Sequence, residues 1–139
     1  MNPNDRQQLF DAVRQCVLAA LPDIWAIYVH GSIAGNTERP DSDLDLALLL
    51  PPGKELPNLL DFSAALAAAA RRDVDVADLR RAGNMLRKEV LEHGIPLYVA
   101  NSEQVLAWEA SAMSEYAEHH WRIRSLLEDF NTTGIGYGE

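Results

Sequence analysis

Ten residues separate the Gly31-Ser32 pair from Asp43 in the stretch GSIAGNTERPDSDLDLALLL, and this short interval constrains the fold more than any other feature of the chain. Upstream, Trp25 to His30 (WAIYVH) is rich in β-branched and aromatic residues and is predicted to be a strand that Gly31 ends. Downstream, Leu44 to Leu50 is almost continuously apolar, as a strand buried on both faces requires, and Pro51-Pro52-Gly53 terminates it. A parallel connection between two strands needs a crossover of about a dozen residues or more, usually helical. The interval is too short for that, and its Gly, Asn, Thr, Pro, Asp and Ser residues suit a loop or one short helical turn. The two strands are therefore expected to run antiparallel, which sets Asp43 beside Gly31-Ser32 at one end of a sheet.

The next connection is the reverse case. Residues 51–72 are ample for a right-handed parallel crossover, and Leu59, Leu60, Phe62, Leu66 and an alanine run predict a helix over 56–70. A third strand, Asp73 to Leu79 (DVDVADL), then starts at the same end of the sheet as the second. Helical periodicity predicts a first helix over 4–20, capped by Asn4 and stopped by Pro22. A helix over 83–93 is stopped by Gly94, and Ile95 to Ala100 is a fourth strand. From Asn101, read as an N-cap, a long helix carrying Val105, Leu106, Met113, Tyr116, Trp121, Ile123 and Leu127 runs to about residue 130, and residues 131–139 are expected to be mobile. The pattern predicts an α/β (α+β) fold: a mixed sheet of about four strands flanked by helices, with a long C-terminal helix. One domain is expected over 1–139, its core at about 4–100.

Asp43 and Asp45 project from one face of the second strand, with Cα atoms roughly 6.5–7 Å apart, while Leu44 and Leu46 enter the other face. Two neighbouring carboxylates repel each other and are costly to bury unpaired. Divalent cations resolve that conflict, because hard ions such as Mg²⁺ prefer carboxylate and phosphate oxygens. At the start of the third strand Asp73 and Asp75 share a face, whereas Asp78 points to the other. Asp75 is read as the third carboxylate, a general base or metal ligand, with Asp73 as its fallback. Gly31 lets the backbone turn tightly and approach a phosphate, and Ser32 offers a hydroxyl and an N–H at a helix start. Asp41 and Ser42 are read as shaping the turn through side-chain bonds to the backbone.

The net charge of −9, from 21 acidic and 12 basic residues, argues against a nucleic-acid backbone as the main ligand. It suits small anions held through metal ions, or a basic protein partner. No apolar run reaches the length of a membrane span and the N-terminus lacks a signal-peptide profile. The single cysteine, Cys16, excludes an internal disulfide and suits a reducing cytoplasm, as a small core residue. His30 at the strand end is read as structural; His93 and His119-His120 are read as surface residues. Arg71-Arg72 and Arg80-Arg81 are read as solvating strand ends, with Arg80 or Arg81 able to neutralise phosphate if near the site.

The pattern G-S-x10-D-x-D, followed by a strand with a further Asp, resembles the minimal nucleotidyltransferases of the DNA polymerase β superfamily. Four such positions match by chance on the order of once in 10⁵ starting points, so coincidence is a poor explanation. RPDSDLDLALLL, the VDV strand and the helix leading into VLEHGIPLYV extend the resemblance over about residues 9–100. It implies a polymerase-β-like fold, ATP with Mg²⁺, and transfer of a nucleoside monophosphate to a hydroxyl with release of pyrophosphate. By position, Gly31 and Ser32 hold the triphosphate, Asp43 and Asp45 bind metal, and Asp75 completes the set. Many relatives carry a small residue, Arg and Gly soon after the serine, whereas this chain has Ala34-Gly35-Asn36; Arg39 is a possible substitute.

Stand-alone members are often paired with a helical HEPN-domain RNase toxin. The resemblance therefore implies an antitoxin that transfers AMP to a toxin tyrosine, in a hetero-oligomer with that toxin and without direct nucleic-acid or membrane contact. The long C-terminal helix would be the docking surface. The alternatives are a small-molecule transferase, as for an aminoglycoside, for which the chain lacks room for a substrate domain, and an idle antitoxin that neutralises by binding.

Overall fold

The computed structural model describes residues 1–35, 39, 42–100 and 102–133, with the backbone alone at 130–133. The expectations placed on Asn36, Asp41, Asn101 and residues 134–139 lie outside the described residues. Helix α1 (Pro3–Ala20) is capped by Asn2 rather than Asn4: the Asn2 Oδ1 accepts the Asp5 N–H at 2.8 Å. Pro3 makes the earlier start favourable, since its missing N–H is one that a first turn leaves without a helical partner. Strand β1 (Ala26–His30) runs into a single helical turn, α2 (Gly31–Ala34), and β2 (Leu44–Leu49) returns antiparallel to β1.

Helix α3 (Leu59–Ala70) begins three residues later than its composition suggests, because the Asn58 Oδ1 takes the Leu60 N–H at 2.9 Å and caps it there. Strand β3 (Val74–Asp78) then lies parallel to β2. Helix α4 (Asn84–His93), stopped at Gly94, leads into β4 (Ile95–Val99), antiparallel to β1 on its other side. Helix α5 (Ser102–Thr133) closes the described chain and runs past the expected end at 130. The sheet is mixed, in the order β3-β2-β1-β4.

The two faces of the sheet bury different partners. Ile27, Val29, Leu44, Leu46 and Leu48 pack against Val13 and Val17 of α1 and Phe62 and Leu66 of α3. Ala26, Tyr28, Ala47 and Leu49 pack against Val90 of α4 and Val105 of α5, with Leu79. Cys16 is half-buried against the first of these cores. On the second face the Tyr28 hydroxyl donates to the Glu109 carboxylate at 2.5 Å, tying α5 to the sheet. Burial first, and the Glu109 bond second, push the Tyr28 pKa far up.

Arg87 of α4 donates to the carbonyls of Leu79 and Arg80 at 2.9 and 2.7 Å and lies over the Trp108 ring, while Lys88 lies over Tyr116. Trp108 and Tyr116 are therefore packing residues. Trp121, 70% exposed, is not. No described helix is long and apolar enough to cross a membrane.

Candidate active site

Strand register builds the site. Asp45 sits directly between His30 of β1 and Asp75 of β3, as cross-strand partner of both. Directly opposed residues share a face, so His30, Asp45 and Asp75 project together. Asp43 joins them two residues upstream. This is the face covered by α4 and α5, but those helices bury Ala47 and Leu49 farther along and leave the start of β2 open. Asp43 and Asp75 are exposed and Asp45 is half-buried. Asp73 lies just before β3, and its carbonyl accepts the Leu44 N–H at 2.9 Å.

Among the described residues, none of Asp43, Asp45 and Asp75 makes a side-chain hydrogen bond or ion pair. The electrostatic consequence falls on Asp45: burial raises its pKa, His30 opposes that, and Asp75 and Asp43 add to it. A carboxylate so placed gains from an added cation. No three His, Cys, Asp or Glu side chains among the described residues converge to enclose an ion. A divalent ion bound by two carboxylates here would complete its shell with phosphate oxygens and water, the usual habit of Mg²⁺.

Gly31 is fitted to the same carboxylate. Its φ of +75° is a conformation in which side chains are strained, and a Cβ there would overlap the Asp45 Oδ2 and stand 3.2 Å from Cγ. The glycine therefore serves two ends, turning the chain out of β1 and leaving room for the Asp45 carboxylate. Ser32, half-buried, follows in the first turn of α2, which closes through the Gly35 N–H on the Gly31 carbonyl at 3.0 Å. Ser42 shapes the turn before Asp43 as expected: its Oγ accepts the Arg39 N–H at 2.7 Å, and its own N–H donates to the Arg39 carbonyl at 3.0 Å. Arg39 is exposed in that turn.

Two arginine expectations change. Arg80 is bound to Asp78 and to the Pro51 carbonyl, and Arg81 to Glu55, all at the end of the sheet opposite the carboxylates. Parallel β2 and β3 put residues before the strands at the site and residues after them far from it. Arg72, before β3, is instead at the site end, where its Nη1 donates to the Ser42 carbonyl at 3.2 Å. His30 is the other residue that gains importance. Its alternation with the buried Tyr28 was a usable signal; the pairing with Asp45 needed the register.

The concavity of about 490 Å³ between α1 and the end of α3 includes none of these carboxylates.

Known proteins resemble this chain in sequence and fold. Protein adenylyltransferase MntA of Shewanella oneidensis is 27% identical over 109 residues, 78% of each chain. A toxin–antitoxin crystal structure with AMP-PNP contains a chain that superposes with a TM-score of 0.73 at 25% identity, covering 88% of this chain and 98% of that one. The structure of a tri-AMPylated Shewanella oneidensis HEPN toxin with its MNT antitoxin gives a TM-score of 0.70 at 23% identity, over 91% and 99% of the two chains, and shares the fold. Residues 15–103, from the middle of α1 through every strand to the first turn of α5, match the family model for polymerase β nucleotidyltransferases. With its glycine-serine turn and paired aspartates inside that span, the chain belongs to the polymerase β nucleotidyltransferase family.

Proposed function

We propose that this chain is an antitoxin adenylyltransferase that moves AMP from ATP to a tyrosine hydroxyl of a cognate HEPN-domain toxin and so neutralises it. The observation that carries the reading is the register that places Asp45 beside Asp75, with Asp43 two residues away and Gly31 packed on the Asp45 carboxylate. The likeness to a protein adenylyltransferase supports AMP as the transferred group, and the likeness to a toxin–antitoxin crystal structure with AMP-PNP supports ATP as donor.

In this reading Gly31 and Ser32 receive the triphosphate. Asp43 and Asp45 hold Mg²⁺, with Asp75 as third ligand or general base, and Asp73 as the alternative to it. Mg²⁺, when bound, neutralises charge on the phosphate oxygens and on the departing pyrophosphate. The tyrosine oxygen forms a bond to the α-phosphorus, the bond from that phosphorus to the bridging β-phosphate oxygen breaks, and pyrophosphate leaves. The tyrosine proton passes to Asp75. Arg39, exposed in the turn before Asp43, supplies the positive charge that relatives carry soon after the serine.

Asp43 and Asp75 are exposed, so a hydroxyl presented by a protein can approach them. The acceptor's docking surface is the outer half of α5, where Trp121, Ile123, Leu126 and Leu127 are 70%, 43%, 54% and 58% exposed. Replacing Trp121 and Leu127 together by Asp leaves the melting temperature unchanged but weakens toxin binding, by about 2 kcal/mol or more for each anchor, near thirtyfold. Size-exclusion chromatography and titration calorimetry check it.

The decisive experiment incubates the chain with α-labelled ATP, Mg²⁺ and its cognate HEPN-domain toxin. Label is expected on the toxin, with loss of its RNase activity. Neutralisation without labelling, under conditions where ATP binding is confirmed, would reject the transferase and leave a steric antitoxin.

A further inference from the structure

Arg72 reaches the backbone beside the paired carboxylates from outside the motif. It is half-buried, and its Nη1 donates to the carbonyl of Ser42, the residue before Asp43, at 3.2 Å. The next residue, Asp73, accepts the N–H of Leu44, the residue after Asp43, at 2.9 Å. The peptide groups on both sides of Asp43 are thus tied to one dipeptide, which lies two residues ahead of Asp75. Ser42 is itself doubly bonded to Arg39, so the Arg72 bond holds a folded turn rather than a loose carbonyl.

The Arg72 Nε is enclosed and has no hydrogen-bond partner among the described residues. Enclosed donors are nearly always satisfied, so this one calls for an explanation. A lysine could also donate to the single Ser42 carbonyl. The planar guanidinium differs from it in directional rigidity: it fixes where the carbonyl lies and not only that it is bonded. Arg71, next in sequence, is exposed and ends α3 in a left-handed conformation with φ of 57°. The two neighbours therefore have separate tasks.

We propose that Arg72 is a positioning residue for the metal site, acting through the Ser42 carbonyl to hold Asp43 at the spacing from Asp45 and Asp75 that a shared divalent ion requires. The inference rests on the metal-binding reading of Asp43 and Asp45. Residues that orient metal ligands change affinity by about 10–100-fold when lost, although they never touch the ion.

The test titrates Mn²⁺ into the full chain with AMP-PNP and follows free Mn²⁺ by electron paramagnetic resonance, with circular dichroism melts on the same samples. Arg72→Ala is expected to bind Mn²⁺ about tenfold more weakly than wild type while remaining folded. Arg72→Lys falls between the two, and Arg71→Ala matches wild type. Mn²⁺ affinity in folded Arg72→Ala indistinguishable from wild type overturns the proposal, as does a loss that only tracks an unfolded fraction. If Arg72→Ala does not fold, Arg72→Lys decides, and wild-type affinity in that variant overturns it. Absence of Mn²⁺ binding in wild type rejects the metal site and this inference together. Wild type that binds Mn²⁺ and AMP-PNP but labels no toxin rejects only the proposed acceptor chemistry.

Discussion

Asp45→Asn is expected to abolish AMP transfer and, at the same time, to raise the melting temperature of the metal-free chain. The loss follows from charge: removing a carboxylate proposed to hold the metal forfeits several kcal/mol of transition-state stabilisation, on the order of 10³-fold in rate at about 1.4 kcal/mol per decade. The gain in stability follows from the same residue. Burial, Asp75 and Asp43 together outweigh His30 and raise the Asp45 pKa above its ordinary value. The folded state therefore binds the Asp45 proton more tightly than the unfolded state does, and ionisation works against folding.

That penalty is absent below the ordinary carboxylate range, grows as pH rises toward the raised value, and is complete above it. Melts at neutral pH should show Asp45→Asn above wild type, and melts in acid should show the two converging. Saturating Mg²⁺ with AMP-PNP should reverse the order at neutral pH, since only wild type gains from the ion. Equal melting temperatures at all pH values would mean that the carboxylate group carries no strain. Asp43→Asn should lose transfer to a similar degree. Asp43 is exposed, so the double variant isolates catalysis from binding: toxin neutralisation that survives it in full would point to a steric antitoxin.

Gly31→Ala carries the second large effect. The positive φ alone costs roughly 1–2 kcal/mol for a residue with a Cβ, and the added carbon would overlap the Asp45 Oδ2. Either the turn or the carboxylate must move. A misplacement of about 1 Å at a reacting site can cost about 10²-fold, so transfer should fall by at least that much while the chain remains folded. Gly53 provides the control. Its φ is +82° and nothing lies within 4 Å of where its Cβ would be, so Gly53→Ala should show the backbone cost in a thermal melt and keep full transfer activity. Equal activity loss in the two variants would mean that the overlap with Asp45 is irrelevant.

Much of this site was legible in the residues. Side chains alternate along a strand, so Asp43 and Asp45 had to share a face, and ten residues are too few for a parallel crossover. Both constraints are local and survive any packing. Helix starts were less legible: Asn2 competes with Asn4 for the cap of α1, and the Asn58 side chain starts α3 at Leu59 although helical composition begins at Leu56, so the outcome depends on Pro3 and on the side-chain bond that forms. The arginines were the least legible. Arg72 and Arg80 look alike in sequence, one before a strand and one after it, yet a strand length separates them in space.

By itself the sequence determined the antiparallel return of the second strand, the parallel crossover to the third, the pairing of Gly31-Ser32 with Asp43 and Asp45, and the arrival of a further aspartate at the same end. These follow from chain connectivity and the period of two. Only the tertiary structure decided that Asp75 rather than Asp73 is the direct partner of Asp45, that His30 stands on its other side, and that Arg72 holds the turn before Asp43. Each depends on register between strands far apart in the chain, and register is set by how whole faces bury their apolar residues.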